Sequence, residues 1–256
     1  MRQVLKRNHR TSLPAHSRPQ MPPFALPPDY PRIKLVSSFD ELLATPFADG
    51  VNALCWQRTL PGNFSEVVEH LAAREGITTL EDSQLQTLPV STAGRAAIDV
   101  LLEDLRLLRA HGLAPNLDCI DGYLRDENPG PVPTDVFSFH ADSATVEADT
   151  YLCTYHGPAS EGLRNDQAVR RVDIPETRAE LLKLFSGEDD DDFLDHLKEN
   201  CYDLHYAPIP QARPFSFGLG NLWRIAVEYP GSPVPPCIHR APETLPGQPP
   251  RLLLIS

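Results

Sequence analysis

Proline interrupts this chain so often that it can be built only from short elements. There are 27 prolines among 256 residues, roughly one residue in ten and about twice the usual share. Each fixes its own φ, removes a backbone donor and biases the preceding residue away from helix. The expectation is therefore many short strands and helices joined by stiff connections. The rest of the composition is that of a folded chain, 41% hydrophobic and 23% charged, with length enough to bury a sizeable core.

Charge is unevenly spread. Residues 1–34 hold seven Lys/Arg against one acid, Asp29, for a net +6; the whole chain is at −12, which leaves −18 on the other 222 residues. A body of that sign repels phosphate backbones, so nucleic acid is not an expected partner. The basic start runs into SLPAHSRPQMPPFALPPDYP instead of an apolar segment, so it does not read as a secretory signal. The same prolines weaken an organelle transit peptide as the alternative. No run nears the ~18 apolar residues of a membrane span. The five cysteines, Cys55, Cys119, Cys153, Cys201 and Cys237, form no CxxC pair and read as free or buried thiols in a reducing compartment. A cytoplasmic protein without membrane contact is the resulting expectation; the oligomeric state stays open.

Three regions differ in texture. Residues 1–32 are proline-rich and read as an extended or disordered basic arm. Residues 33–114 are mainly helical: SSFDELLATPF reads as a short capped helix, Asn63 or Ser65 caps the next, VNALCW is a buried strand, and STAGRAAIDVLLEDLRLLRAHG is the clearest helix. There Ile98, Leu101, Leu102, Leu105 and Leu108 recur every three or four residues, and Gly112 comes next as a C′ residue. Over 115–256 the pattern changes to strand-like runs: NLDCIDGYL, DVFSFHA, TYLCTYH, AVRRVDI, LHYAPI, FSFGL, WRIAVEY and RLLLIS. Eight such runs with proline turns point to a β-sandwich or barrel. A helical insert at about 176–200 interrupts them, around the acidic run Glu188–Asp192. That run reads as a solvated helix N-terminus, with a cation site as the alternative.

His140-Ala-Asp142 closes the run DVFSFHA. Residues two apart on an extended segment face the same way, so one imidazole and one carboxylate converge on a common point where a cation can sit. Nine histidines and 35 acids would place about one His-x-acid by chance, so the motif gains weight only from residues farther along the chain. His239 lies in PPCIHRAPE, and Arg251 begins the last strand-like run twelve residues after it.

In this order the residues resemble the Fe(II)/2-oxoglutarate-dependent oxygenases, whose pattern is H-x-D, a distal H and an Arg about one strand later. HRAPETLPGQPPRLLLIS and FHADSATVEADTYLCTYHGPASEGL carry the likeness, which covers roughly 115–256 and is also similar to an uncharacterised bacterial family within that fold. The resemblance implies an α+β protein with a double-stranded β-helix core of jelly-roll or cupin-like type, buttressed by N-terminal helices. It implies Fe(II) held by His140, Asp142 and His239, and 2-oxoglutarate whose distal carboxylate pairs with Arg251. Tyr155, on the neighbouring strand, is a further candidate for that carboxylate. The chain departs from the family at Leu253, where a Ser or Thr is common. A dioxygenase that hydroxylates or demethylates a small molecule or an amino-acid side chain is the implied activity.

Other readings remain beside this one. A cupin-like metal-dependent isomerase, or a metal-binding protein, would keep the triad and dispense with 2-oxoglutarate. A non-enzymatic scaffold would use the arm to recruit partners. His205 is a rival metal ligand, and His156 a turn residue or a neighbour of the metal. Asp118 and Asp121 are solvated acids or lie at a cavity mouth. Arg240 pairs with Glu243 or touches substrate. Trp223 and Phe217 are expected in the core.

Overall fold

The computed structural model describes residues 24–71, 75–125, 129–243 and 247–256. Most of the expected arm, residues 1–23, lies outside that range. Residues 24–32 form an irregular segment with turns and are docked: the Phe24 ring meets Trp223 edge-on at 5.9 Å, and the Tyr30 hydroxyl donates to Asn165 Oδ1 at 2.7 Å.

Strand β1 (Ile33–Val36) leads into helix α1 (Phe39–Ala44), where the Ser38 side chain accepts from the Glu41 N–H at 3.1 Å. Strand β2 (Ala53–Trp56) precedes α2 (Phe64–His70), which is capped by Asn63. Then come β3 (Gly76–Thr79), α3 (Asp82–Thr87) and α4 (Thr92–Ala110). The α4 periodicity is realised, with Ile98, Leu101, Leu105 and Leu108 buried on one side. Gly112 takes φ +76° just beyond the helix, where a side chain would be strained. Glu66 of α2 ties the two helices by accepting from the Ser91 N–H at 2.6 Å and hydroxyl at 2.7 Å.

Beyond α4 the chain turns to β4 (Asn116–Asp121), β5 (Phe139–His140), β6 (Asp149–His156), β7 (Glu161–Leu163) and β8 (Ala168–Arg170). Helices α5 (Pro175–Phe185) and α6 (Asp191–Glu199) occupy the expected insert. They share a small core of Leu181, Phe193 and Leu197. The acidic run is used structurally: Asp190 caps α6 at the Phe193 N–H, and Asp189 pairs with Arg178. Strands β9 (His205–Pro208), β10 (Phe215–Ser216), β11 (Leu222–Ala226), β12 (Ile238–Arg240) and β13 (Arg251–Ile255) complete the chain. Of AVRRVDI only the first three residues are strand, and a single 3-10 turn follows.

Two sheets result, one ordered β1-β2-β11-β6-β13-β4-β3 and the other β10-β7-β12-β5-β9-β8. All pairings between these strands are antiparallel except β1 with β2. The fold is thus a β-rich α+β arrangement. Residues 33–114 are helical in most of their elements, yet their three strands hydrogen-bond into the same sheet as β4, β6, β11 and β13. They are part of the β core as well as its buttress.

The larger sheet is buried on both faces, and strand alternation sorts its side chains. Leu252 and Leu254 of β13, with Tyr151, Cys153 and Tyr155 of β6, pack against α4 and its neighbours. Leu253 and Leu152 point the other way, into a core with Trp223, Phe217 and Phe215. Trp223 and Phe217 lie there as expected, stacked at 4.4 Å. All five cysteines are free and only Cys201 is exposed. Among the described residues no helix is long and apolar enough to cross a membrane.

Candidate metal centre

Strands β5 and β12 are antiparallel neighbours, and in their pairing His140 stands directly opposite His239. Directly opposed residues project to the same face, with their side chains in contact range. The ring centroids are 4.6 Å apart. Asp142, two residues beyond His140, turns its carboxylate between the rings: Oδ1 lies 3.8 Å from His140 Nε2 and Oδ2 3.8 Å from His239 Nε2. One ligand atom from each residue falls within 4.8 Å of the others. That spacing is wider than the roughly 3 Å between adjacent donors around an ion with ~2.1 Å bonds. Ligation therefore requires the three side chains to close in on the ion. Among the described residues this is the single cluster of three such donors.

The rings are held for ligation. His140 Nδ1 donates to the Ser138 carbonyl at 2.8 Å, and His239 Nδ1 faces the Cys237 carbonyl at 3.4 Å, the same two-residue relation on both strands. A carbonyl only accepts, so the proton resides on Nδ1 and the Nε2 lone pair points into the site. Thr150 Oγ1 donates to Asp142 Oδ2 at 2.6 Å and fixes the carboxylate. Phe217 lies over the His239 ring at 6.4 Å. Gly162, opposite His239 on β7, gives way to that aromatic layer, since a Cβ there would come within 2.3 Å of the Phe215 ring.

Electrostatics favour the ligating protonation states. Burial, then the neighbouring His239, pushes His140 down to about 4. Burial would raise Asp142, but His239, the Thr150 hydrogen bond and His140 together hold it below the usual carboxylate value. His205 is likewise pushed down to about 4, first by burial and then by the charges of His140 and Arg171. These depressed imidazoles make a pH prediction with a definite sign. An unfolded chain protonates histidine near pH 6.5 whereas the folded one resists until about 4, so this stability is present above 6.5 and lost as pH falls through that window. Carboxylates do not titrate in its upper part. Metal-free protein should therefore show a falling thermal midpoint between about pH 6.5 and 5, with a shallower fall in His205→Leu. A midpoint flat across that interval contradicts the buried, neutral assignment.

Arg251 begins β13 and is 4% exposed. Nη1 donates to the Tyr123 hydroxyl at 2.8 Å, while Nη2 donates to Ser160 Oγ at 3.0 Å and Thr154 Oγ1 at 3.4 Å; Nε is buried without a partner. Among the described residues the guanidinium meets no carboxylate. Burial lowers its pKa. Ser160 stands two residues before Gly162, the residue facing His239, which puts that contact roughly 7 Å along the strand from the triad. The backbone of Gly157, at φ +79°, passes so close that a Cβ would approach Arg251 Cα to 3.0 Å.

Tyr155 does not join this group. It points to the opposite face of β6, where its hydroxyl donates to Asp104 Oδ2 at 2.6 Å beside the Arg58–Asp104 pair at 2.7 Å. Strand parity decides the matter: Thr154 faces Arg251, so Tyr155 cannot. Arg240 pairs with Glu161 at 2.7 Å, and not with Glu243, whose partner is Arg125. His156 ends β6 and is bonded through Nδ1 to the Pro250 carbonyl at 3.1 Å. Asp118 accepts from Thr79 on the neighbouring strand at 2.6 Å, and Asp121 is exposed beside Gly122 at a small pocket that Arg251 also lines. His205 stands opposite His140 on the other side from His239, outside the three-donor cluster. Thr150, Tyr123, Thr154 and Ser160, none singled out by the sequence, complete the surroundings of Asp142 and Arg251. No family model, curated protein or solved structure matches this chain.

Proposed function

We propose that the chain is an Fe(II)- and 2-oxoglutarate-dependent oxygenase on a double-stranded β-helix, hydroxylating or demethylating a small molecule or an amino-acid side chain. The observation that carries this reading is a two-histidine, one-carboxylate cluster on paired strands, together with a buried guanidinium on β13 that no described acid neutralises. Strand order supports the fold: β4, β6, β11 and β13 lie in one sheet, β5, β7, β10 and β12 in the other, eight strands in two sheets as in a jelly roll.

The donor set suits Fe(II). Two neutral imidazoles and a carboxylate on one side of a divalent ion leave open positions opposite them. Bound Fe(II) with a chelating 2-oxo acid supplies dioxygen activation coupled to decarboxylation of that acid. His140, His239 and Asp142 hold the ion, with the Ser138 and Cys237 carbonyls and Thr150 keeping them aimed. Arg251 suits the distal carboxylate, because its planar fork matches two carboxylate oxygens and the unpartnered Nε is a free donor. Tyr123, Ser160 and Thr154 hold the fork in place. Leu253 and Trp223 belong to one buried apolar cluster on that side of the larger sheet.

Turnover tests the reading. Protein stripped of metal and reconstituted anaerobically with Fe(II) should, on admission of oxygen, convert 2-oxoglutarate to succinate even without a second substrate, and the Zn(II) form should not. Iron-loaded protein producing no succinate above the Zn(II) blank would overturn it.

A further inference from the structure

A cavity of ≈270 Å³ opens against His140 and Asp142. Its wall holds one carboxylate outside the triad, Asp135, and a third imidazole, His205, and neither Lys nor Arg lines it. We propose that this cavity receives a cationic nitrogen of the substrate, an alkylammonium or guanidinium group, with Asp135 as its countercharge and His205 as a hydrogen-bond acceptor. The proposal rests on the oxygenase reading and names the substrate class of that same site.

His205 is the first support. It is 5% exposed, its Nδ1 is buried without a partner, and no described residue hydrogen-bonds the ring. A purely structural histidine in that state carries a desolvation cost that an apolar residue would avoid. Buried polar groups are ordinarily paired. A neutral imidazole offers one acceptor nitrogen to an N–H of a ligand.

Asp135 is the second. Its Oδ1 accepts from the Phe137 and Ser138 N–H groups at 3.1 Å each, which anchors the carboxylate where the chain enters β5. The other oxygen has no partner among the described residues. Its charge is felt at both His140 and His205, although burial dominates each. Arg171, whose charge also reaches His205, does not line the cavity.

Charge balance then selects the ligand. A divalent ion with Asp142, and a doubly charged 2-oxo acid with Arg251, sum to neutrality, so Asp135 is the charge left over in the wall. An anionic substrate would meet it with repulsion, whereas the −18 body draws cations in. The volume falls just under the ~300–1,000 Å³ of drug-sized pockets, which fits one side-chain-sized group.

The test uses n-butylammonium and n-butylguanidinium as probes, with n-butanol as the uncharged comparison, on the Mn(II)·2-oxoglutarate complex. The readout is paramagnetic relaxation of the probe protons, with the Zn(II) complex as diamagnetic blank. The cations should show at least a tenfold larger enhancement than butanol. Asp135→Asn, which keeps the Oδ1 acceptor, should reduce it to the butanol level, and His205→Leu should reduce it several-fold, with Mn(II) still bound in both. Free lysine against lysine within a blocked tripeptide then tells a small-molecule substrate from a polypeptide one. Equal enhancement by butanol, or an Asp135→Asn protein that still favours the cations, overturns the proposal. Protein that binds Mn(II) but then fails to bind 2-oxoglutarate overturns the oxygenase reading instead, and the cation preference is then read on the Mn(II) form. Failure to take up Mn(II) overturns both.

Discussion

Asp142→Ala protein is expected to retain no divalent metal through gel filtration, where the parent chain retains one Fe(II) or Mn(II) per molecule. The carboxylate is the only charged donor of the cluster and the one that spans both imidazoles, at 3.8 Å from each Nε2. Without it, two neutral rings on adjacent strands are left to hold a dication. Thr150→Val gives the graded counterpart. It removes the 2.6 Å hydrogen bond to Asp142 Oδ2 while keeping the shape, and loss of such an outer partner costs about 10–100-fold in metal affinity. Asp142→Ala should exceed that range. Metal analysis of the two variants, with circular dichroism to show that both are folded, checks the order. Parent-like metal content in Asp142→Ala would remove the triad from the account.

The second large effect is at Arg251. Arg251→Met conserves length and apolar bulk but deletes the buried charge, and truncating one partner of a buried, hydrogen-bonded charge pair costs about 2–5 kcal/mol. Titration calorimetry on the metal-loaded protein should therefore show 2-oxoglutarate bound at least about thirtyfold more weakly, with metal content unchanged. Tyr155→Phe should behave in the opposite way. Its hydroxyl serves the Asp104–Arg58 cluster, so the variant should lose about 1–3 kcal/mol of stability and no 2-oxoglutarate affinity. Unchanged binding in Arg251→Met would leave a cupin-like metal protein without the co-substrate as the better reading.

Legibility in the sequence tracks how local each signal is. The α4 periodicity, the short capped helix in SSFDELLATPF, the cap at Asn63 and the insert helices are short-range patterns, and they are where expected. The triad was also readable, because His140 and Asp142 are two apart on one strand end and the distal histidine comes in a recognisable order. Strands β7 and β12, three residues each, are too short for any alternation to register. The face on which Tyr155 lies was hidden for another reason. In β6 every residue between Asp149 and His156 is buried, so both faces are nearly as apolar as each other and no polar–apolar contrast reveals parity. The surroundings of Arg251 were out of reach altogether, since Tyr123 and Ser160 come from 128 and 91 residues earlier in the chain. Nor does a local pattern tell that β1 and β2 pair in parallel and continue the sheet past β11.

The most direct test of the central claim is anaerobic addition of 2-oxoglutarate to the Fe(II)-loaded protein, monitored by visible absorption. A weak charge-transfer band that saturates at one equivalent, and is absent from His140→Ala, is the predicted result. Iron-loaded protein that stays featureless at saturating 2-oxoglutarate, or a band that persists undiminished in His140→Ala, would contradict it.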